Sequence, residues 1–337
     1  MTKPNREASG ELLAQRDDAR LRPFAEQAER WVLKRQQTHR DARHDIGRMR
    51  RHLIPFFGTL TPQEISDNPW LLRQYIELKR QDLGGATIQR TLALLSRFFN
   101  ELKEDGAFEL KNPVALLSRA TRRLTRSTVD QKATPFLRRK EDIARLYHAL
   151  PPADVTSPYR VMFAVGVLSG LRPGEILALH WQRDIDLKRR RIHVQCQVSE
   201  SVLGPVKDDE SRVVPILDAL LPVLYSWQEA SGGVGLCFAP IPRRGGRKGS
   251  PPRFRRLHTL HKHLRRGLRA AHLPETLTWY QCTRHTFASH WVMDGGSLAK
   301  LKEILGHCSV KVTERYAHLR PDMYGPEDYA KIALALE

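Results

Sequence analysis

The residues of this chain best suited to chemistry are basic side chains set at turns. In "LSGLRPGEILALHW", Gly170 can end one helix and Pro173 can take the first position of the next, which leaves Arg172 at a helix start. Free backbone N–H groups and the positive end of the helix dipole meet there, so the turn could hold a phosphate beside a guanidinium. Most Arg-Pro-Gly-Glu turns are only helix starts, and Glu175 could either cap the helix or hold an arginine in position. In "YQCTRHTFASH", Arg284 and His285 stand at the edge of an apolar face of Phe287, Ala288 and Trp291, with Gln281 one turn earlier. An isolated arginine at such an edge snorkels to water or pairs with a carboxylate. Lys207 lies between two strand-like runs, where a flexible ammonium could reach into a groove or simply remain in water. In "LAKLKEILGHCSVKVTERYAHL", Gly306 is placed to stop a helix, His307 sits in the corner, and Ser309 can cap the next helix, which carries Tyr316. A corner histidine is usually a hydrogen-bonding residue and a helical tyrosine is usually core. The co-occurrence of all four stretches lifts them above those readings.

Composition narrows the partner. The 337 residues carry 56 Lys plus Arg against 37 Asp plus Glu, a formal charge of +19, which calls for a polyanion. Nucleic acid is favoured over a membrane surface because the basic residues are interleaved with aliphatic helical patterns along the whole chain. The polar start "MTKPNREASGELLAQRDD" predicts no signal peptide, and no apolar run approaches a membrane span. A cytoplasmic, nucleoid-associated protein is expected. Cys196, Cys237, Cys282 and Cys308 are scattered without CxxC spacing, so neither a zinc knuckle nor a disulfide framework is indicated.

The elements that must position these residues follow from periodicity. Residues 21–36 place Phe24, Ala28, Trp31 and Val32 on one helical face, and "TIQRTLALLSRFFNELKE" does the same with Ile88, Leu92, Leu95, Phe99 and Leu102, with Thr87 as a plausible N-cap. Two more helices, broken by Pro55, Gly58 and Gly84-Gly85, complete a four-helix domain with basic outer faces. Residues 117–140, with eight basic side chains and one acidic one, read as an interdomain linker that either lies along a phosphate backbone or is simply solvated. Beyond it, "RRIHVQCQV" and "SRVVPI" alternate and are β-branched, which predicts an antiparallel hairpin joined by "SESVLGPVKDDE". The rest is helical, apart from the basic segment 243–256. The fold class is mainly α with a small antiparallel β-sheet.

"LSGLRPGEILAL", then Lys207 in "PVKDDESRVVPI", then "TRHTFASHWV", then "ILGHCSVKVTERYAHL" resemble, in order and spacing, the catalytic domain of the tyrosine recombinases, the phage integrase family. The nine residues from His307 to Tyr316 fit the same pattern. "FFGTLTPQEI", "ATIQRTLALLSRFFNEL" and "NPV" are similar to the helical, SAM-like core-binding domain that precedes it. The resemblance implies a polar tail at 1–20, a core-binding domain at 21–116, a basic linker at 117–135 and a catalytic domain at 136–337.

By the same resemblance the protein is a site-specific DNA recombinase that cleaves and rejoins double-stranded DNA, without metal, ATP or other cofactor, as a homotetramer over two sites. Tyr316 would attack the scissile phosphorus and leave a 3′-phosphotyrosyl bond. Arg172 and Arg284 would hold the non-bridging oxygens, Lys207 would protonate the leaving 5′ oxygen, and His307 would donate to a phosphate oxygen or orient Tyr316. His285 is expected to support the fold. The family usually has His where this chain has Gln281, which can bind phosphate but cannot titrate near neutral pH. That departure motivates the alternative, a recombinase-derived DNA-binding protein with weak or no cleavage. The sequence also predicts no arm-binding domain in its first 20 residues.

Overall fold

The computed structural model describes residues 22–38, 42–104, 110–125, 134–199, 201–206, 211–238 and 257–320. The chain divides into two compact units, Met1–Asp130 and Gln131–Glu337.

The first unit is helical. In α1 (Phe24–Thr38), Phe24, Ala28, Trp31 and Val32 are buried, as their spacing predicts. α2 (Ala42–Arg48) runs through a π turn, Met49–Leu53, into α3 (Ile54–Phe57). Pro55 therefore does not break this helix as expected. The wider turn just ahead of it accommodates the hydrogen bond that proline cannot donate, and the chain leaves the helix only at Gly58. α4 (Pro62–Asp67) opens on a capping box, in which the Thr61 hydroxyl accepts from the Glu64 N–H at 3.2 Å and the Glu64 carboxylate accepts from the Thr61 N–H at 2.7 Å. α5 (Trp70–Lys79) and α6 (Gly85–Glu104) follow, the latter starting ahead of the expected cap Thr87. Phe98 of α6 sits in the middle of an aromatic cluster, its ring centroid 5.1 Å from that of Phe24 and 5.6 Å from those of Trp31 and Phe99, all edge-on.

α7 (Arg119–Leu124) lies within the stretch 117–135 read as interdomain linker, and the division between the two units falls in the same stretch. Ser118 caps this helix by accepting from the Thr121 N–H, and Arg122 donates to the carbonyls of Val114, Ala115 and Leu117. A charge run looks solvated in a sequence, but one guanidinium that collects three local carbonyls is enough to order it.

The second unit contains α8 (Lys140–Ala149), α9 (Tyr159–Ser169), α10 (Pro173–Ala178), α11 (Trp181–Asp184), five strands, α12 (Leu221–Ser231) and α13 (Leu257–Ala270). A π segment, Gln281–His285, continues into α14 (Thr286–Met293). α15 (Leu298–Leu305) and α16 (Val310–Thr313) come next, and a 3-10 turn, Glu314–Leu319, prolongs α16. α9 is buried on nearly every side and forms the axis of this core. A Cβ on Gly166 of α9 would come within 2.8 Å of the Thr283 side chain, so the missing side chain lets α9 and the π segment approach closely.

The strands are β1 (Ile185–Asp186), β2 (Arg191–Val194), β3 (Cys196–Ser199), β4 (Val202–Pro205) and β5 (Arg212–Pro215). The expected antiparallel pairing of β2 with β5 is present, with Ile192 opposite Val214, and β1 adds to the other edge of β2. Their connection is not a simple loop, because β3 and β4 pair with each other, Ser199 opposite Val202, as a separate two-stranded sheet. In β5 the buried Val214 alternates with exposed Val213 and Pro215, so Arg212 shares the buried face. Among the described residues no helix is long and apolar enough to cross a membrane.

Phe98 is fully buried among aromatic rings. Phe98→Ala is expected to cost the first unit about 3–5 kcal/mol, measured as a shift of its denaturant unfolding transition.

Candidate active site

The site begins with two helices that end in left-handed glycines. Gly170 closes α9 at φ 66° and Gly306 closes α15 at φ 62°. A helix C-terminus leaves carbonyls without partners and carries the negative end of the helix dipole, so cations are favoured there. Three consecutive carbonyls at the end of α15 each take a guanidinium. Ile304 O accepts from Arg212 Nε at 2.7 Å, Leu305 O from Arg284 Nη2 at 2.6 Å, and Gly306 O from Arg172 Nη2 at 3.3 Å. Arg284 Nη1 also donates to Gly170 O at 2.9 Å, which ties the end of α9 to the end of α15. Three arginines 112 residues apart in sequence, from Arg172 to Arg284, thus converge on one helix end.

Glu175 neutralises part of this charge. Arg172 is the residue before α10, and the Glu175 carboxylate accepts from its backbone N–H at 2.7 Å and from its Nη1 at 2.8 Å. The same carboxylate takes a two-pronged contact from Arg212, Nη1 at 2.9 Å and Nη2 at 2.7 Å. Of the two uses the sequence suggests for Glu175, the structure shows both. Burial by itself would raise the pKa of Glu175, but the hydrogen bonds and charge of Arg212, followed by those of Arg172, outweigh it and hold the carboxyl below its ordinary range. Three guanidiniums against one carboxylate leave an excess of positive charge suited to an anion.

Arg284 is fully buried, and its Nε has no hydrogen-bond partner among the described residues. Burial lowers its pKa to about 10, with Tyr280 opposing and Arg172 assisting. The π segment carries this arginine, and Thr278 opens that helix. The Gln281 carbonyl oxygen accepts from the Thr278 N–H at 2.7 Å and from its hydroxyl at 2.9 Å, a capping box legible in "TWYQ". Gln281 is thereby turned toward the helix start, and its amide oxygen is committed there.

Tyr316 is buried on the 3-10 turn, and its hydroxyl lies 2.5 Å from His285 Nδ1. The Ser309 cap is present, its hydroxyl accepting from the Lys311 N–H. The helix it caps ends at Thr313, so Tyr316 rides on the turn beyond it. His307 is held by Thr313, with Nδ1 2.9 Å from the threonine hydroxyl. Burial, then the charges of Arg284, Arg172, Arg212 and Arg315, depress His307 to about 4. Burial, then Arg315 and Arg284, depress His285 to about 4 as well. Burial, aided by Tyr280, raises the phenol of Tyr316 above its ordinary value.

Of the residues singled out in the sequence, Arg172 and Arg284 meet directly at the end of α15, and His307 feels the charge of both. Tyr316 joins them through His285, the neighbour of Arg284. Lys207 lies outside the described residues. The structure adds Arg212 and Thr313, which the sequence motifs do not single out. The signal for Arg212 is a charged side chain on the inward phase of a strand, which demands a buried partner.

The architecture is that of an integrase. The Tn1549 transposon integrase, solved in complex with transposon right end DNA, superposes with a TM-score of 0.67 at 16% identity, over 91% of this chain and 97% of that one. A lambda integrase dimer bound to a COC′ core site gives a TM-score of 0.64 at 14% identity, over 94% and 99%. In sequence, the chain is 30% identical to the tyrosine recombinase XerC of Xylella fastidiosa (strain M23), over 71% of this chain and 72% of the relative. It is 27% identical to XerC of Xanthomonas campestris pv. campestris (strain B100), over 82% and 79%. The phage integrase family model matches residues 136–323. The chain belongs to the phage integrase family and is a tyrosine recombinase.

Two predictions follow from the charges. Glu175→Gln removes the counterion of two arginines from a buried position, and is expected to cost the second unit about 3–5 kcal/mol in denaturant unfolding. For His285 and His307 the folded-state pKa lies below the ordinary 6.5, so the unfolded chain binds protons first. Their contribution to stability is present above pH 6.5 and is lost as pH falls through about 4. Thermal melts across that window should show the loss, with a shallower slope in the double variant His285→Asn/His307→Asn.

Proposed function

We propose that this chain is a site-specific DNA recombinase that cleaves and rejoins duplex DNA through a 3′-phosphotyrosyl intermediate, without metal or ATP. The observation that carries the reading is the gathering of three guanidiniums on the end of α15, next to the buried pair of His285 and Tyr316. Phosphoryl transfer through such a site depends on positioning and charge stabilisation, and fixed arginines supply both. Tyr316 is the nucleophile, Arg172 and Arg284 bind the non-bridging oxygens, and His307 donates to one of them. Lys207 protonates the leaving 5′ oxygen, and Gln281 offers its amide N–H to the phosphate. Arg172, with a side chain 28% exposed, is the first of the two arginines to meet DNA, and Arg284 is reached only after the side chains above it shift.

The first unit acts as the core-binding domain, with 21–116 as its extent. Duplex DNA is the partner, four copies assemble on two sites, and the protein works at the nucleoid. The transposon and lambda integrases whose fold it shares were solved on DNA, and the formal charge of +19 fits the same partner.

The test is incubation with a library of nicked duplexes, followed by denaturing electrophoresis for protein–DNA adducts. Wild type should form an adduct and Tyr316→Phe none, while Arg172→Ala and Arg284→Ala should each slow its formation on the order of a hundred-fold or more. Binding without any adduct would instead support a DNA-binding protein that does not cut. An adduct that survives Tyr316→Phe would remove the nucleophile assignment.

A further inference from the structure

We propose that His285 is the proton acceptor for Tyr316, taking the role that Gln281 cannot fill. The inference rests on the reading of Tyr316 as the nucleophile. His285 Nδ1 lies 2.5 Å from the Tyr316 hydroxyl, within the reach required of a general base, and both rings are buried, 5.7 Å apart between centroids. Gln281 has no titratable group, and its carbonyl oxygen is engaged by Thr278.

The surroundings of His285 suit the task. The π segment that aims Arg284 also carries His285, so the arginine read as a phosphate ligand and the base are adjacent on one buried segment. The charged and titratable groups facing the imidazole are Arg284 on its own segment, Arg315 and Tyr316 on the 3-10 turn, and Tyr280, whose ring centroid is 4.9 Å away. Burial, then Arg315 and Arg284, keep the ring neutral and, while the two positive charges stand uncompensated, weaken it as a base. Arrival of a phosphate anion beside Arg284 offsets those positive charges and makes the imidazolium easier to form.

Tyr316 Oη forms the bond to phosphorus, its proton passes to His285 Nδ1, the P–O5′ bond breaks, and a separate acid protonates the departing 5′ oxygen. On rejoining, a 5′ hydroxyl gives its proton to the conjugate base of that separate acid and bonds to phosphorus, the P–Oη bond breaks, and the imidazolium returns its proton to Tyr316.

The test follows adduct formation on the nicked-duplex library against pH for wild type, His285→Asn and Tyr316→Phe. Asn can still accept a hydrogen bond from the phenol but cannot take its proton. His285→Asn is expected to slow adduct formation on the order of a hundred-fold at neutral pH, with the deficit shrinking toward alkaline pH as hydroxide takes the proton. Equal rates and equal pH profiles would overturn the proposal, as would a faster variant, which would make the contact a restraint on the nucleophile. Nitrogen-15 NMR of histidine-labelled wild type gives a second readout that needs no variant. Nδ1 of His285 should be unprotonated and accepting, and a proton found on Nδ1 would also overturn it. An adduct that persists in Tyr316→Phe would fail the nucleophile reading, whereas a silent Tyr316→Phe beside an unaffected His285→Asn fails only this proposal.

Discussion

The site depends on one helix end. The last carbonyls of α15 have no helical partners, and three guanidiniums supply them. Each arginine comes from a different element, the start of α10, strand β5 and the π segment, so the terminus of α15 works as a common anchor. The left-handed glycine that follows turns the chain away and leaves room. A Cβ on Gly306 would approach Arg212 Cδ to 2.9 Å, in a backbone conformation that β-carbons already disfavour. The same anchor fixes the corner in which His307 stands.

This arrangement opposes the ordinary preferences of a core. Arg284 is entirely covered and burial pushes its guanidinium down to about 10, while the Glu175 carboxylate pairs with the neighbouring Arg172 and Arg212. The unfavourable clustering of like charge is sustained by backbone dipoles, which cannot be neutralised or move away. An anion that entered would relieve it, so the folded state presents a field complementary to negative charge.

The sequence disclosed what is local. Gly170, Gly306 and the Ser309 cap are read from a few residues each, because left-handed turns and caps have short-range causes. Arg172 at a helix start is equally local. Arg212 is not legible locally because its meaning lies in Ile304 and Glu175, 92 and 37 residues away. Gln281 stands out in the sequence for what it lacks, a titratable ring, while its capping contact with Thr278 is equally local, three residues away. His285 reads in the sequence as a histidine that supports the fold, and only the return of the chain at Tyr316 gives it a partner of consequence. The helix hidden in the basic stretch after residue 117 was obscured by composition, which reports charge and not the carbonyls that the charge collects.

The π segment at Gln281–His285 spends an additional residue on one turn of helix. Successive positions on a helix are rotated by about 100°, so everything downstream of that turn owes its orientation to the surplus residue. Shortening the segment by one would leave a better α-helix by any local measure. It would also swing Phe287 and Ala288 out of the core, or, if they stayed, turn Arg284 off the end of α15. Chain length is therefore as much a determinant of this site as residue identity, and its tolerance to insertion or deletion falls to a minimum where the helix is least regular.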